Sequence, residues 1–148
     1  MNLSEYKKSY SVDPVEPFAE IFPSYFTNSN ARENIRFYFP EAKIVITLRD
    51  PVARAVSAIR HVQRIGLLSE NLDINAASEN KHIRNILDGS DYERHVALWA
   101  SYFPGRVIQV RQNSEGVYSE SSLGALSVFL GLGADVARVQ NLKANTAK

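Results

Sequence analysis

The sequence predicts an α/β fold with a parallel sheet, because two apolar strand patterns alternate with helical patterns. The strand patterns run from Lys43 to Leu48 and from Arg106 to Arg111, and both are rich in β-branched residues. Two helical patterns separate them and a third follows, so the order is strand, helix, helix, strand, helix. That order is typical of layered domains with parallel strands and right-handed crossovers.

Length and composition predict a single domain over residues 1–148. Apolar residues make up 45% of the chain and charged residues 22%, values that are ordinary for soluble globular proteins. The formal net charge of +1 gives no global field towards nucleic acid or a membrane surface, so any anion site must be local. Without cysteine there can be no disulfide and no thiolate zinc site, and nothing favours another metal.

No stretch of the chain resembles a membrane span or a signal peptide. A span needs roughly 18 apolar residues in a row, and a signal peptide needs an apolar core near its start. The N-terminal run MNLSEYKKSYSVDP offers neither. These patterns predict a cytoplasmic protein with no membrane span.

The elements up to the first strand are predicted as follows. Residues 1–26 mix polar, aromatic and proline residues, which predicts a loop with at most a short helix. Residues 30–39 predict a short helix that Pro40 ends. The strand from Lys43 to Leu48 is almost continuously apolar, and this predicts burial on both of its faces.

The strand ends at Arg49 and a helix is predicted over residues 51–65. Asp50 offers an N-cap, and Pro51 suits the first helical position, where its missing N–H costs nothing. A helical wheel predicts an apolar face for packing, made of Val52, Ala55, Val56, Ile59 and Val62. The opposite, polar face could meet a ligand and carries Arg54, Ser57, His61 and Arg64.

The second half of the chain predicts three helices and one strand. Residues 80–89 form a short helical pattern that Gly89 closes. Ser90 and Glu93 then predict a capping box for the next helix, whose core residues at helical spacing are Tyr92, Val96, Trp99 and Phe103. After the strand that ends at Arg111, the last helix is predicted to bury Leu123, Leu126 and Leu130 and to end at Gly131 or Gly133.

A strand, an arginine and a capped helix start together predict an anion site at the carboxyl edge of the sheet. Helix N-termini carry unpaired N–H groups and a partial positive charge, and Arg49 could clamp a phosphate with two hydrogen bonds. Arg49 could instead pair with Asp50, and Ser57 could be an ordinary solvated serine. Arg54, Arg60 and Arg64 would form a solvated ridge, which could also steer an anionic nucleotide or a sulfated acceptor. His61 is expected to be a solvated histidine, with proton transfer as the alternative.

The run PEAKIVITLRDPVARAVSAIRH, from Pro40 to His61, resembles a segment of the sulfotransferases that use 3'-phosphoadenosine 5'-phosphosulfate. The likeness is strongest to their bacterial and heparan-sulfate-type branch. In that family the arginine that ends the strand and the serine eight residues later bind the 3'-phosphate of the donor, and these fall on Arg49 and Ser57. The segments YERHVALWASYFPGRVIQVR and LGALSVFLGL resemble later parts of the same family in the same order.

This resemblance implies a three-layer P-loop-like sulfotransferase fold with a parallel sheet. It also places the family's catalytic base on Glu20, within the stretch AEIFPSYF. Where the heparan-type branch often has a lysine and a small hydroxyl residue after that glutamate, this chain has Ile21 and Phe22. The family's first strand and its 5'-phosphosulfate loop, of the lysine-x-glycine-threonine-threonine type, have no match before Pro40, so the domain is expected to be partial.

The implied function is sulfuryl transfer from 3'-phosphoadenosine 5'-phosphosulfate to a hydroxyl or amine acceptor of unidentified class, without a metal. An alternative is a non-catalytic remnant that binds adenosine 3',5'-bisphosphate or a protein partner. A relationship to P-loop hydrolases or kinases would require a GxxxxGK[ST] loop, which is absent. A chain without the first strand is expected to bind the donor weakly, to transfer no sulfate, and to self-associate through strand surface such as Val45 and Ile46.

Overall fold

The computed structural model describes residues 19–71, residue 77 and residues 79–132. Its elements are, in order, a 3-10 turn at Pro23–Tyr25, helix α1 at Ser29–Tyr38, strand β1 at Ile44–Leu48, helix α2 at Pro51–Arg64, helix α3 at Lys81–Asp88, helix α4 at Tyr92–Tyr102, strand β2 at Val107–Arg111 and helix α5 at Glu120–Leu130. The predicted order from β1 to α5 is confirmed. The loop predicted over the first 18 residues and the alternative helix end at Gly133 lie outside the described residues.

Strands β1 and β2 form a parallel pair, as predicted. The register aligns Ile44 with Val107 at one end and Leu48 with Arg111 at the other. Both strands therefore end at the same edge of the sheet. Helix α2 begins three residues after β1 ends, whereas α5 begins nine residues after β2 ends.

Only one face of β1 is covered in the described part of the chain. Ile46 is 6% exposed and Leu48 2% exposed, whereas Val45 is 37% exposed and Thr47 is also exposed. The prediction that this strand is buried on both faces is wrong, since side chains alternate between the faces and only one face meets a helix. The expectation of an under-covered surface holds for Val45 and is wrong for Ile46.

Helix α4 covers the buried face of β1. Trp99 and Phe103 are 3% and 1% exposed, and they form one apolar cluster with Ile46 and Leu48. The two aromatic rings stack with their centroids 5.8 Å apart. The core residues predicted for this helix are thus confirmed where it meets the sheet.

Helix α5 packs against β2 on the opposite face of the sheet. Val110 pairs with Thr47 in the register, so its side chain lies on the face away from Leu48. Val110 is 1% exposed and Leu123 of α5 is 8% exposed. Helices on both faces of a small parallel sheet give the layered α/β arrangement that the sequence predicts.

Three helix ends test the predicted capping. The Asp50 carboxylate accepts from Ala53 N at 2.7 Å at the start of α2, and Gly131 ends α5 with a φ of 74°, as predicted. The predicted capping box at α4 is wrong, because Asp91 caps this helix. The Ser90 hydroxyl is instead occupied with the carbonyl of Ile86, at 2.8 Å.

Candidate functional site

Arg49 lies at the carboxyl edge of the sheet, between the end of β1 and the residue that caps α2. Its side chain is exposed, and no other residue in the described part of the chain makes a hydrogen bond or an ion pair with it. Asp50 uses its side chain to cap α2 instead. The alternative pairing of Arg49 with Asp50 is therefore absent from the structure, and the guanidinium is available to an anion.

Ser57 lies on α2, two turns from the start of the helix. It is exposed, and its hydroxyl has no hydrogen-bond partner in the stretches that the structure describes. At a rise of about 1.5 Å per residue, Ser57 lies about 9 Å along the helix axis from Pro51. The structure thus leaves both predicted phosphate ligands accessible, and their binding of one anion stays a prediction.

Arg54 differs from these two residues, because it faces α3 rather than solvent. Its Nη1 donates to the carbonyl of Ile86 and to the hydroxyl of Ser90, each at 3.0 Å. A Cβ atom at Gly89 would lie only 2.4 Å from Arg54 Nη2, so the guanidinium rests directly on the glycine. The prediction that Arg54 belongs to a solvated, ligand-facing ridge is wrong, and the residue joins α2 to α3.

The other predictions for α2 hold in part. His61 and Arg64 are exposed, and Arg64 Nη2 donates to His61 Nδ1 at 3.0 Å, which fits the predicted solvated ridge. Arg60 is exposed as well. On the predicted packing face, however, Val52 is 69% exposed and Val56 is 42% exposed, so this face is only partly covered by described residues.

Glu20 lies in the segment that precedes α1. Its Oε1 atom accepts a hydrogen bond from the Tyr25 hydroxyl at 3.1 Å, and the residue is half-buried. The segment is anchored at the Phe26 carbonyl, which accepts from Arg32 Nη1 at 3.2 Å and from Trp99 Nε1 at 3.0 Å. A carboxylate held by a tyrosine on an anchored turn has a defined orientation.

The side chains next to Glu20 are apolar and exposed. Ile21 is 90% exposed and Phe22 is 55% exposed, with the Phe22 ring 4.9 Å from that of Tyr25. Two exposed apolar side chains therefore follow Glu20 along the chain, where the heparan-type branch often has a lysine and a small hydroxyl residue. Glu20 lies before the 3-10 turn at Pro23–Tyr25, Arg49 lies at the junction of β1 and α2, and Ser57 lies further along α2.

A cluster of charged residues at the junction of α3 and α4 was not predicted from the sequence. His95 is 1% exposed, and its Nε2 lies 3.1 Å from the carbonyl oxygen and 3.2 Å from a carboxylate oxygen of Asp88. Arg94 binds the carboxylates of both Asp88 and Asp91, with Nε 2.8 Å from Asp91 Oδ2. Through Arg94, which binds both carboxylates, this cluster joins α3 and α4.

The same contacts shift two pKa values. The hydrogen bond from Arg94 lowers the pKa of the Asp91 carboxyl below its ordinary 3.8. The reciprocal hydrogen bond to Asp91 raises the pKa of the Arg94 guanidinium. Both shifts favour the charged forms, so this pair is ionised at neutral pH.

The described residues contain neither a candidate metal-binding group nor a candidate membrane-spanning helix. No group of three or more histidine, aspartate or glutamate side chains in these stretches is arranged to hold a metal ion. None of the helices described above is both long and apolar enough to cross a membrane.

Comparison with known proteins matches residues 7–134 to the sulfotransferase family. The chain is also similar to the bifunctional heparan sulfate N-deacetylase/N-sulfotransferase 1 of Caenorhabditis elegans, with 30% identity over 118 residues that cover 74% of this chain and 14% of that protein. The protein of the same name from Caenorhabditis briggsae is 30% identical over 106 residues, which cover 62% of this chain and 12% of that protein. The chain thus spans a small part of the length of these curated relatives.

Proposed function

We propose, from the premise that this chain belongs to the sulfotransferase family, that it forms the donor-binding part of a sulfuryl-transferring enzyme. The donor would be 3'-phosphoadenosine 5'-phosphosulfate and the acceptor a hydroxyl or an amine. The parallel strand pair and its flanking helices would belong to a three-layer P-loop-like fold. The family match confirms the resemblance predicted from the sequence, and the observation that carries the donor assignment is the unpaired Arg49 at the carboxyl edge of β1.

The chemistry of Arg49 and its surroundings suits a phosphate monoester. Such a group carries roughly −1.5 to −2 charges at neutral pH. A guanidinium makes short, charge-assisted hydrogen bonds to phosphate oxygens, and the start of α2 adds the partial positive charge of a helix N-terminus. Ser57 would donate a further hydrogen bond from its hydroxyl, which is exposed and without a partner in the described residues.

In the proposed reaction the acceptor oxygen or nitrogen attacks the sulfur atom of the donor. The bond between that sulfur and the bridging phosphate oxygen breaks, and adenosine 3',5'-bisphosphate leaves with the electron pair. We assign the acceptor proton to the Glu20 carboxylate, as the family resemblance implies, with the Tyr25 hydroxyl orienting it. Most of the rate would come from positioning and from stabilising the charge on the leaving group.

The donor assignment is tested by titrating adenosine 3',5'-bisphosphate into the wild-type chain and the Arg49→Ala variant. A lost charged hydrogen bond is worth about 1.5 kcal/mol or more, so affinity should fall at least about tenfold. Ser57→Ala removes a neutral hydrogen bond worth about 1 kcal/mol and should weaken binding by roughly fivefold. Adenosine 5'-monophosphate lacks the 3'-phosphate, and its affinity should not respond to either substitution.

Arg36→Ala is a matched control for that titration. Arg36 is an exposed arginine in the last turn of α1, and no residue in the described stretches binds its side chain. Its removal lowers the net charge by the same amount and should leave affinity unchanged. Equal affinities for Arg49→Ala and Arg36→Ala would contradict the donor assignment.

The role of Glu20 is tested in a radiolabelled-donor assay with hydroxyl and amine acceptors, on this chain extended at its N-terminus by a family member's first strand and 5'-phosphosulfate loop, because the chain without them is expected to transfer no sulfate. Glu20→Gln should lower the transfer rate by about 10²–10⁴-fold, the usual contribution of a general base, without changing the affinity for the donor product. Tyr25→Phe removes the hydrogen bond to Oε1 but keeps the carboxylate, so it should have a smaller effect. A Glu20→Gln rate within about threefold of wild type would exclude this residue as the base.

A further inference from the structure

Arg111 lies at the same sheet edge as Arg49, on the neighbouring strand. It is the last residue of β2, and the register pairs it with Leu48, the residue before Arg49. Gln112, the residue that follows β2, donates its backbone N–H to the Leu48 carbonyl at 2.8 Å, so the two strands are paired up to their last residues. The backbone therefore holds Arg49 and Arg111 close together.

The separation follows from strand geometry. Adjacent strands lie about 4.8 Å apart and rise about 3.3 Å per residue, so the Cα atoms of Arg49 and Arg111 should lie about 6 Å apart. Because side chains alternate along a strand, the Arg111 side chain lies on the same face of the sheet as that of Leu48. Arg49 follows the last residue of β1, so this alternation does not fix the direction of its side chain. Two long side chains rooted this close can converge on one group.

Most arginines in the described part of the chain have a partner. A carboxylate, a carbonyl or a ring nitrogen accepts from Arg32, Arg54, Arg64, Arg84, Arg94 and Arg106. Those without a hydrogen bond or an ion pair to another described residue are Arg36, Arg49, Arg60 and Arg111. Of these four, Arg49 and Arg111 are the two whose backbones are neighbours across paired strands, and their like charges repel each other wherever the two side chains approach.

An anion between the two guanidinium groups would turn this repulsion into attraction. A phosphate monoester suits the position, since it carries roughly two negative charges and enough oxygens for two guanidinium groups. We infer that Arg111 is a second cation of the donor site and that it shares the 3'-phosphate with Arg49. This inference rests on the proposed function and adds a residue to it.

The test is a double-mutant cycle with adenosine 3',5'-bisphosphate as the titrant. Arg111→Ala should weaken binding about tenfold, as expected for one charged hydrogen bond. The double variant Arg49→Ala/Arg111→Ala should bind the nucleotide more weakly than either single variant. Its total loss of affinity should be smaller than the product of the two single losses, because both residues would bind one phosphate. Arg111→Lys should recover part of the affinity, and Arg36→Ala should behave as wild type.

The outcomes separate this inference from the function on which it rests. If Arg111→Ala matches Arg36→Ala while Arg49→Ala loses about tenfold, the inference falls and the proposed donor site stands. If Arg111→Ala alone weakens binding, both the Arg49 assignment and the shared phosphate are overturned. Losses that multiply independently, or that persist with adenosine 5'-monophosphate, would also overturn the shared 3'-phosphate. Thermal unfolding of each variant shows whether a loss of affinity reflects a loss of fold.

Discussion

Two junctions of this molecule treat arginine in opposite ways. At the junction of α3 with its neighbours, Arg54 and Arg94 are bound by carbonyl, hydroxyl and carboxylate oxygens. At the junction of β1 and α2, Arg49 is exposed and no described residue binds it. Paired charges join secondary structure elements, whereas an unpaired charge at the end of a parallel strand is available to a ligand.

The end of α3 explains why the first junction attracts cations. The last carbonyls of a helix have no partner within the helix and carry a partial negative charge. In α3 the carbonyl of Ile86 accepts from Arg54 and Ser90, and that of Asp88 lies 3.1 Å from His95 Nε2. These neighbouring groups come from α2, from the connecting turn and from α4, so three segments of the chain meet at the end of one helix.

The largest expected difference between the two junctions is in stability. Arg54→Ala removes a half-buried charged donor from the Ile86 carbonyl and from Ser90, and it should lower the free energy of unfolding by about 1.5–3 kcal/mol. Arg49→Ala removes an exposed side chain that has no partner among the described residues, and it should change the free energy of unfolding by less than about 0.5 kcal/mol. Urea unfolding of the two variants measures the difference, and equal losses would remove the distinction between the junctions.

Gly89 provides a control for this comparison. A methyl group at this position would lie 2.4 Å from Arg54 Nη2 and displace the guanidinium from its partners. Gly89→Ala should therefore destabilise the wild-type chain, and the loss should be much smaller when Arg54→Ala is already present. Because Gly89 has a φ of −67°, which alanine adopts without strain, the same loss in both backgrounds would show that the added methyl group acts through contacts other than Arg54.

The sequence predicted the β1–α2 junction well because all of its signals are local. A strand pattern, an arginine, an N-cap and a proline follow one another within residues 43–51, and the structure confirms the strand and the cap. The role of Arg54 was missed, since its partners lie 32 and 36 residues along the chain. Only the folded chain brings them together.

Two further predictions failed for other reasons. The motif of Ser90 and Glu93 fits a capping box, but the sequence does not reveal that the end of α3 already occupies Ser90. The apolar pattern of β1 does not say which face a helix covers, so the sequence could not separate the exposed Val45 from the buried Ile46. Whether Arg49, Ser57 and Glu20 serve one reaction also depends on distant parts of the chain, and it stays a prediction.

The smallest effect expected at the α3–α4 junction is the pH dependence due to the Asp91 charge. Its folded pKa lies below the ordinary 3.8 because Arg94 hydrogen-bonds to the carboxylate, so its stabilising contribution is present above pH 3.8 and is lost as pH falls through the folded pKa. Asp91→Asn removes the charge and keeps a side-chain oxygen able to cap α4. The wild-type chain should therefore be slightly more stable than this variant at pH 7, and the difference should vanish in strong acid.

Since both partners are 48% exposed, added salt should also reduce the difference, and urea unfolding at two pH values with and without salt measures both dependences. If the difference in stability depends on neither pH nor salt, the substitution acts through helix capping. The ion pair with Arg94 then contributes nothing to holding α3 and α4 together.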